Sequence, residues 1–550
     1  MKTLLAHRPR LRGNTLAVLL VIIGVLFAAG ALAWLLLRRP APDAARTSAS
    51  YLPAETIAVF TVQASRLLEK SDLPALLKKN LDRIEGARMF INPDKLDETA
   101  DMKRLGLRPG VPWQLFIHPG AKGNPVLGLI LPLQDRRAFE QALRELPAGL
   151  GMQFLNRVKP QGGLHGIFDA REPFAVAYDE HMLILLAQEK STLPLGEMVT
   201  QLFARKRPLT TPSFTALAQA DADATLWVDV SRAAPLLPGK AAREVMPALP
   251  DWLKGELTAS VRFENGAVKL EGSIHAPNGK SILPTKPTAV PLALVLPGNA
   301  VVAVLGRLDT AALQDALPSL PAQLAQFDSE LGAVKTVIEN FLGLSLTELQ
   351  AQLQGDVVLA LTDVTPHKDK PAEDNGSKPS FFKLPKLNLP QIPIPKFEFL
   401  AGATFHKPEQ AQQLAQRLSA LEGFGIGSLA VENTLYLATS PHREALAKSN
   451  RKAQPLPDAV REQMAGSDAA LYVNFKRLTQ VLGRFENVPD GLEELKALEH
   501  LTLSLRQSPG QVRAQATLTL AEGLAADPQN SLRRLFELAL DTAAPPRRNR

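Results

Sequence analysis

The chain has 550 residues, 45% apolar and 21% charged, an ordinary globular composition that excludes general disorder and leaves room for two to four domains. Its formal net charge of +7 suggests nucleic acid until the charge is located: residues 1–50 carry +6 and Arg547, Arg548 and Arg550 add +3, so residues 51–546 sum to −2 and no basic groove with interleaved aromatics is visible. Cysteine is absent, which removes thiol catalysis, thiolate metal sites and disulfides together.

In chain order, residues 1–14 are a basic N-terminus, expected in the cytoplasm, and residues 15–37 run 23 positions without a charge. At about 1.5 Å per residue that length crosses a hydrocarbon core of roughly 30 Å. The run is longer than the apolar region of a cleaved signal peptide, and Trp34 before Arg38 and Arg39 suits an interface anchor, so a transmembrane anchor is expected. Four Lys or Arg precede the run, two follow it at once and a third stands at Arg46, which favours the N-terminus inside and, if the host is a Gram-negative bacterium, puts the bulk in the periplasm. Residues 38–50 then read as a tether.

The first folded stretch, LPAETIAVFTVQASRLL at 52–68, carries the apolar strand 57–62 and the start of a helix over 65–84. Strands are expected at 113–117 and 126–131, a helix over 135–146 with Phe139, Leu143 and Leu146 on one face, and a hairpin of 174–178 with 182–187 across Asp179, Glu180 and His181. A helix over 213–220 leads to a strand at 225–230. The stretch LTASVRFENGAVKLEGSIHA closes this unit as a hairpin, because Asn265-Gly266 suits a turn that needs positive φ at both central positions. Its alternation predicts one packed face and one wet face.

The same order returns from LPGNAVVAVLGRLDTAAL at 296–313, with strands at 357–362 and 399–404, a helix over 408–421, a second turn hairpin, SDAALYVNFKRLTQVL and a closing hairpin. Offsets of 244, 237, 245 and 244 hold phase, which predicts a tandem duplication: α+β repeat 1 at 51–278, a linker at 279–290 and α+β repeat 2 at 291–525. The fold class expected is α+β, an N-terminal transmembrane helix followed by two homologous mixed domains with largely antiparallel sheets. Residues 366–396, with seven prolines, form an extended insertion that accounts for a net gain of 16 residues in repeat 2. Residues 526–550 add a helix with Leu532, Leu535, Phe536 and Ala539 on one face and a basic tail.

Motifs for chemistry are sparse. No two of His7, His118, His165, His181, His275, His367, His406, His442 and His500 are spaced i, i+4, the spacing that pairs ligands on one helix face; His181 and His500 read as solvated. Ser380–Lys383 and Ser449–Lys452 match Ser-x-x-Lys in loops. Gly423, Gly425 and Gly427 follow a helix and precede a strand, the reverse of a dinucleotide loop, and read as a flexible connection. Asp221, Asp223 and Asp229 cluster around one strand, but the second copy answers with Gly466, Asp468 and Asn474, so local turn bonds are the expected role.

The anchor followed by LPAETIAVFTVQASRLLEKSDL and GLRPG resembles a loose group of bacterial membrane-anchored envelope proteins built from a domain of unknown function. The resemblance implies an envelope location and offers no catalytic residue. No catalytic, cofactor-binding or metal-ligating residue is therefore assigned, and no cofactor is expected. The leading expectation is a non-enzymatic binding or scaffold protein, with the membrane as one partner through its N-terminal helix, an envelope protein or lipid as another, and no nucleic acid. The rivals are a carrier with an apolar groove between sheet and helices, and a hydrolase drawing on Asp223, His181 and Ser449.

Overall fold

The computed structural model describes residues 48–63, 66, 67, 70, 104–120, 124–145, 155–169, 172–188, 193–205, 207–233, 254–264, 266–275, 292–307, 344–366, 396–439, 442–444, 456–485 and 495–521. The anticipated span at 15–37, the linker at 279–290, nearly all of the 366–396 insertion and the C-terminal helix lie outside this set, as does most of the helix anticipated over 65–84. No helix of the described residues is long and apolar enough to cross a membrane. The chain divides into two compact units: Met1–Lys280 with Gly510–Arg513 and Glu522–Arg550, and Ser281–Pro509 with Ala514–Ala521. Both are mixed α+β, built on largely antiparallel sheet.

The strands of unit 1 are β1 (Ala58–Val62), β2 (Trp113–His118), β3 (Val126–Pro132), β4 (Lys159–Gln161), β5 (Leu164–Ile167), β6 (Phe174–Tyr178), β7 (Met182–Gln188), β8 (Ala224–Asp229), β9 (Glu256–Glu264) and β10 (Ala267–His275). They pair antiparallel in the order β10, β9, β8, β1, β2, β3, β7, β6, β5, β4. The element read first from the sequence therefore sits mid-sheet. Its register pairs Val59 with both Phe116 of β2 and Trp227 of β8.

Helices cover both faces of this sheet. On one, α2 (Leu195–Phe203) and α3 (Pro212–Ala218) bring Val199, Leu202 and Phe214 against Val59, Phe116, Ile184 and Trp227. On the other, Phe139 of α1 (Arg136–Arg144) packs with Trp113, Leu131, Tyr178 and Leu183. The α1 start follows the sequence: Asp135 caps it by accepting the backbone N–H of Arg137 at 2.8 Å and of Ala138 at 3.1 Å. Two covered faces explain why WQLFIH, VLGLILP and MLILLAQ are near-continuous apolar runs rather than alternating ones. A short helix, α4 (Val230–Ala233), follows β8.

The closing hairpin corrects one expectation. Its register, with Val268 opposite Phe263 and Gly266 at φ 69°, is the one the Asn-Gly turn implies. Its faces are not divided into packed and wet, since Leu270 is 48% exposed while Thr258 on the opposite face is buried. Most residues of the two strands are only half-buried, on either face.

Unit 2 contains β11 (Val302–Arg307), β12 (Leu353–Thr365), β13 (Lys396–Phe405), β14 (Ile426–Val431), β15 (Thr434–Thr439), β16 (Ala469–Asn474), β17 (Leu498–Ser508) and most of β18 (Gln511–Leu520). The pairing order is β17, β16, β11, β12, β13, β15, β14. Ala303 pairs with both Ala360 and Tyr472, as Val59 does with Phe116 and Trp227. Helix α7 (Asp458–Ala465) contributes Val460 and Met464 to one face, and α6 (Pro408–Leu418) contributes Ala411, Leu414 and Leu418 to the other. Two further helices are α5 (Leu346–Gln352) and α8 (Phe475–Leu482).

The insertion resolves into two opposite changes. Val59 and Ala303 are 244 positions apart, Gly128 and Leu400 are 272 apart, and Leu186 and Ala438 are 252 apart, judged by matching registers. The connection between β12 and β13 is longer than that between β2 and β3, whereas unit 1 holds the β4–β5 hairpin before β6, which has no counterpart among the described residues of unit 2. Counting residues alone merged the two into one net gain.

Candidate functional site

The aspartates are brought to order by the sheet rather than into a cleft. Asp223 is fully buried at the start of β8. Its carboxylate accepts Lys70 Nζ at 2.7 and 2.9 Å and the backbone N–H of Phe263 on β9 at 2.7 Å. Lys70 also donates to the carbonyl of Phe263 at 2.7 Å. These bonds span 153 and 40 positions of sequence, so the anticipated local turn role is corrected: the carboxylate is a long-range brace between β8, β9 and the segment after β1. A buried charge persists where it is paired and fully hydrogen-bonded.

The other two aspartates stay local or peripheral. Asp229 accepts the N–H of Arg232 at 3.1 Å and the Ser231 hydroxyl at 2.6 Å, starting α4. Asn474 does the same for α8 by accepting the N–H of Arg477 at 2.9 Å. Asp221 pairs with Arg66 on the surface, and that hydrogen bond holds its carboxyl below the usual range. Asp468, matching Asp223, is 6% exposed and accepts the N–H of Gln507 at 2.7 Å, with Arg307 Nη1 at 4.0 Å.

Of the residues anticipated for a hydrolase, Asp223 and His181 do not meet. His181 is exposed in the β6–β7 turn, where its N–H donates to Asp179 at 2.7 Å. Asp223 precedes β8, and β1, β2 and β3 lie between β8 and β7, so four interstrand steps of about 4.8 Å put about 19 Å between them. Ser449, Lys452, Ser380 and Lys383 lie outside the described residues, as do His7 and His367.

The remaining histidines are separate. His500 is corrected from a solvated position before a strand to a residue within β17, its ring tilted at 41° to that of Tyr472 with centroids 5.7 Å apart and its Nε2 3.0 Å from the Thr519 hydroxyl, and burial lowers its pKa. His442 lies 2.7 Å from the Thr362 hydroxyl and is likewise lowered by burial. His165 joins a polar cluster with Arg136, Glu140, Tyr178 and Glu180. There Arg136 is 3.1 Å from His165 Nε2 and 2.7 Å from Glu180, and Tyr178 donates to Glu140 at 3.3 Å. Burial and then Glu140 raise the Tyr178 phenol. His275 lies 2.9 Å from the Ser273 hydroxyl, and His406 is exposed at the end of β13. Among the described residues no group of three or more His, Asp or Glu could hold a metal. Gly423 lies within a 3₁₀ segment (Ser419–Phe424), Gly425 turns the chain at φ 77°, and Gly427 lies in β14, so the glycines are a defined helix-to-strand connection and not a phosphate loop.

A cleft that the sequence did not single out opens in unit 1. It has a volume of about 480 Å³ and lies between the segment 50–55, the end of β2 and helix α2, within the range of small-molecule sites. His118 lines it, with Nδ1 buried and unpartnered among the described residues. Burial lowers its pKa and Glu55, also in the lining, opposes this. Arg205 donates to the Tyr51 hydroxyl, with its guanidinium carbon 4.2 Å from the centre of the Tyr51 ring. The available signal was a histidine ending an apolar strand, which gains meaning only beside residues 80 or more positions later.

No protein-family model matches the chain, and no curated protein is significantly similar to it. Among solved structures, crystal forms III and I of TP0453 align at 11% and 10% identity, with TM-scores of 0.27 and 0.26. Each alignment covers 42% of this chain, and 81% or 80% of the other. Likeness at that level carries nothing about the fold or activity of this chain.

Proposed function

We propose that the chain is a non-enzymatic binding or scaffold protein of the bacterial cell envelope, held in the inner membrane by residues 15–37 with its two units in the periplasm. The observation that carries this reading is the use made of the acids. Asp223 and Asp468 stand at matching places in the two units, and each bonds a backbone N–H of the neighbouring strand. A group engaged in this way braces a sheet and is closed to substrate. The matching registers of Val59 and Ala303 support descent of both units from one duplicated domain.

Two measurements test the proposal. Alkaline carbonate extraction should leave the full chain in the membrane pellet, and protease added outside the inner membrane should digest both units while sparing residues 1–14. Crosslinking in native membranes, read by mass spectrometry, should recover one recurrent envelope partner. Release into the supernatant would end the anchor reading, and crosslinks scattered without a recurrent partner would end the scaffold reading.

A further inference from the structure

The cleft of unit 1 combines features that a structural role does not require. Helix α2 ends at Phe203 with Ala204 in a right-handed conformation, and Arg205 follows at φ 51°. That left-handed position after a helix is where glycine is favoured, because a Cβ there crowds the backbone. An arginine is held in it nonetheless, its N–H bonded to the Leu202 carbonyl at 3.0 Å and its guanidinium fixed on Tyr51 at the cleft. A non-glycine residue kept in such a conformation points to a use for its side chain.

Two residues on, Arg207 also lines the cleft; its carbonyl accepts the N–H of Ala54 at 2.8 Å, and its side chain makes no ion pair among the described residues. Guanidinium forks match the paired oxygens of carboxylate and phosphate. His118 also lines the cleft; its Nδ1 is closed to solvent and unpartnered among the described residues, so a ligand meets the remainder of the ring. Glu55 and Glu197 also line the cleft, and neither pairs with an arginine among the described residues. Two carboxylates on the rim disfavour a polyanion, and the remaining lining includes Leu193, Met198 and Leu202.

We infer that this cleft binds a compact organic monoanion, a carboxylate or a phosphodiester carrying a small apolar body, with the anion on Arg205 and Arg207, a polar atom on His118 and the apolar part against Met198 and Leu202. The site needs only unit 1 and does not rest on the scaffold reading; the nanodisc form of the test takes up the anchor reading, and hexanoate titration of the chain without discs separates the two. The source is either a free carboxylate or the phosphodiester of a lipid headgroup.

The test uses the full chain in phosphatidylcholine nanodiscs, titrated with hexanoate by calorimetry, and the same chain in nanodiscs containing phosphatidylglycerol. Saturable hexanoate binding, weakened at least tenfold by Arg205→Gly and several-fold by Arg207→Gln, is expected. Because glycine suits φ 51°, Arg205→Gly should leave the unfolding midpoint unchanged or raised, which separates lost binding from lost fold. Weaker hexanoate binding in the phosphatidylglycerol discs would assign the lipid source, and equal binding the free carboxylate. The inference is overturned if Arg205→Gly binds as the parent does, or if neither hexanoate nor phosphatidylglycerol gives Arg205-dependent binding.

Discussion

The two units build one order of strands with bulk placed on opposite sides of the same junction. In unit 1, Phe116 of β2 faces Gly128 of β3, and a Cβ on that glycine would stand 2.1 Å from ring carbons of Phe116. In unit 2 the matching pair is Ala360 of β12 and Leu400 of β13. The large residue has changed strands while the pair still fills one gap. A close-packed interior constrains the volume at a contact more tightly than it constrains which strand supplies it.

That difference can be broken directly. Phe116→Ala should cost unit 1 about 3–5 kcal/mol, the usual loss for emptying a buried aromatic site. Gly128→Leu alone should also destabilise, by steric overlap with the ring. The double variant, which writes the unit 2 pair into unit 1, should recover a large part of both losses. The described tryptophans, Trp113 and Trp227, lie in β2 and β8 of unit 1, and residues 281–509 contain none, so urea unfolding followed by tryptophan fluorescence reads unit 1 and not unit 2. A double variant as unstable as the sum of the singles would refute the exchange of volume.

The acid brace gives a second contrast. Both units tie a buried aspartate to a backbone N–H, but unit 1 adds Lys70 at 2.7 Å where unit 2 has Arg307 at 4.0 Å. Asp223→Ala, which leaves the N–H of Phe263 without its acceptor and the Lys70 ammonium without its counter-charge and with only the Phe263 carbonyl, should cost about 3 kcal/mol. Asp468→Ala should cost about 1–2 kcal/mol, chiefly for one unsatisfied N–H. Tryptophan fluorescence should register the first and not the second. Hydrogen exchange across β16 and β17 should register the second; equal losses in the two units would remove the distinction.

The smallest expected effect concerns pH. Burial lowers His442 and His500 in unit 2 and His118 in unit 1 below their ordinary value of 6.5. The unfolded imidazoles therefore bind protons first, so the contribution of these groups is fully present above about pH 6.5 and is lost as pH falls below it toward the depressed folded values. Unit 2 should weaken more on acidification, since two of its histidines are lowered. His442→Gln with His500→Gln should flatten the fall of its hydrogen-exchange protection between about pH 6.5 and 5. An unchanged slope would mean that carboxylates dominate.

Much of the fold was legible because its signals are local. Asp135 before RRAFEQALR marked the start of α1, the stretch FAVAYDEHMLILLAQ marked the β6–β7 hairpin, and Asn265-Gly266 marked the closing turn. The sheet faces were less legible: the alternating closing hairpin looked half-wet, and nothing local says that Leu270 is left exposed while Thr258 is covered. The candidate site was the least legible part, since Arg205 became notable only through its backbone angle and its place on Tyr51.

By itself, the sequence placed β1, β2, β3, α1, the β6–β7 hairpin, β8 and the closing hairpin in order, and not β4, β5 or α2, because hydrophobic period, caps and turn residues act over a few neighbours. Only the tertiary structure decided that Asp223 meets Lys70 and Phe263, that His181 stands well away from it, and that His118, Arg205 and Arg207 share a cleft. Those contacts join residues 40 to 153 positions apart, and which such residues meet is set by strand pairing and packing, to which no short stretch of sequence refers.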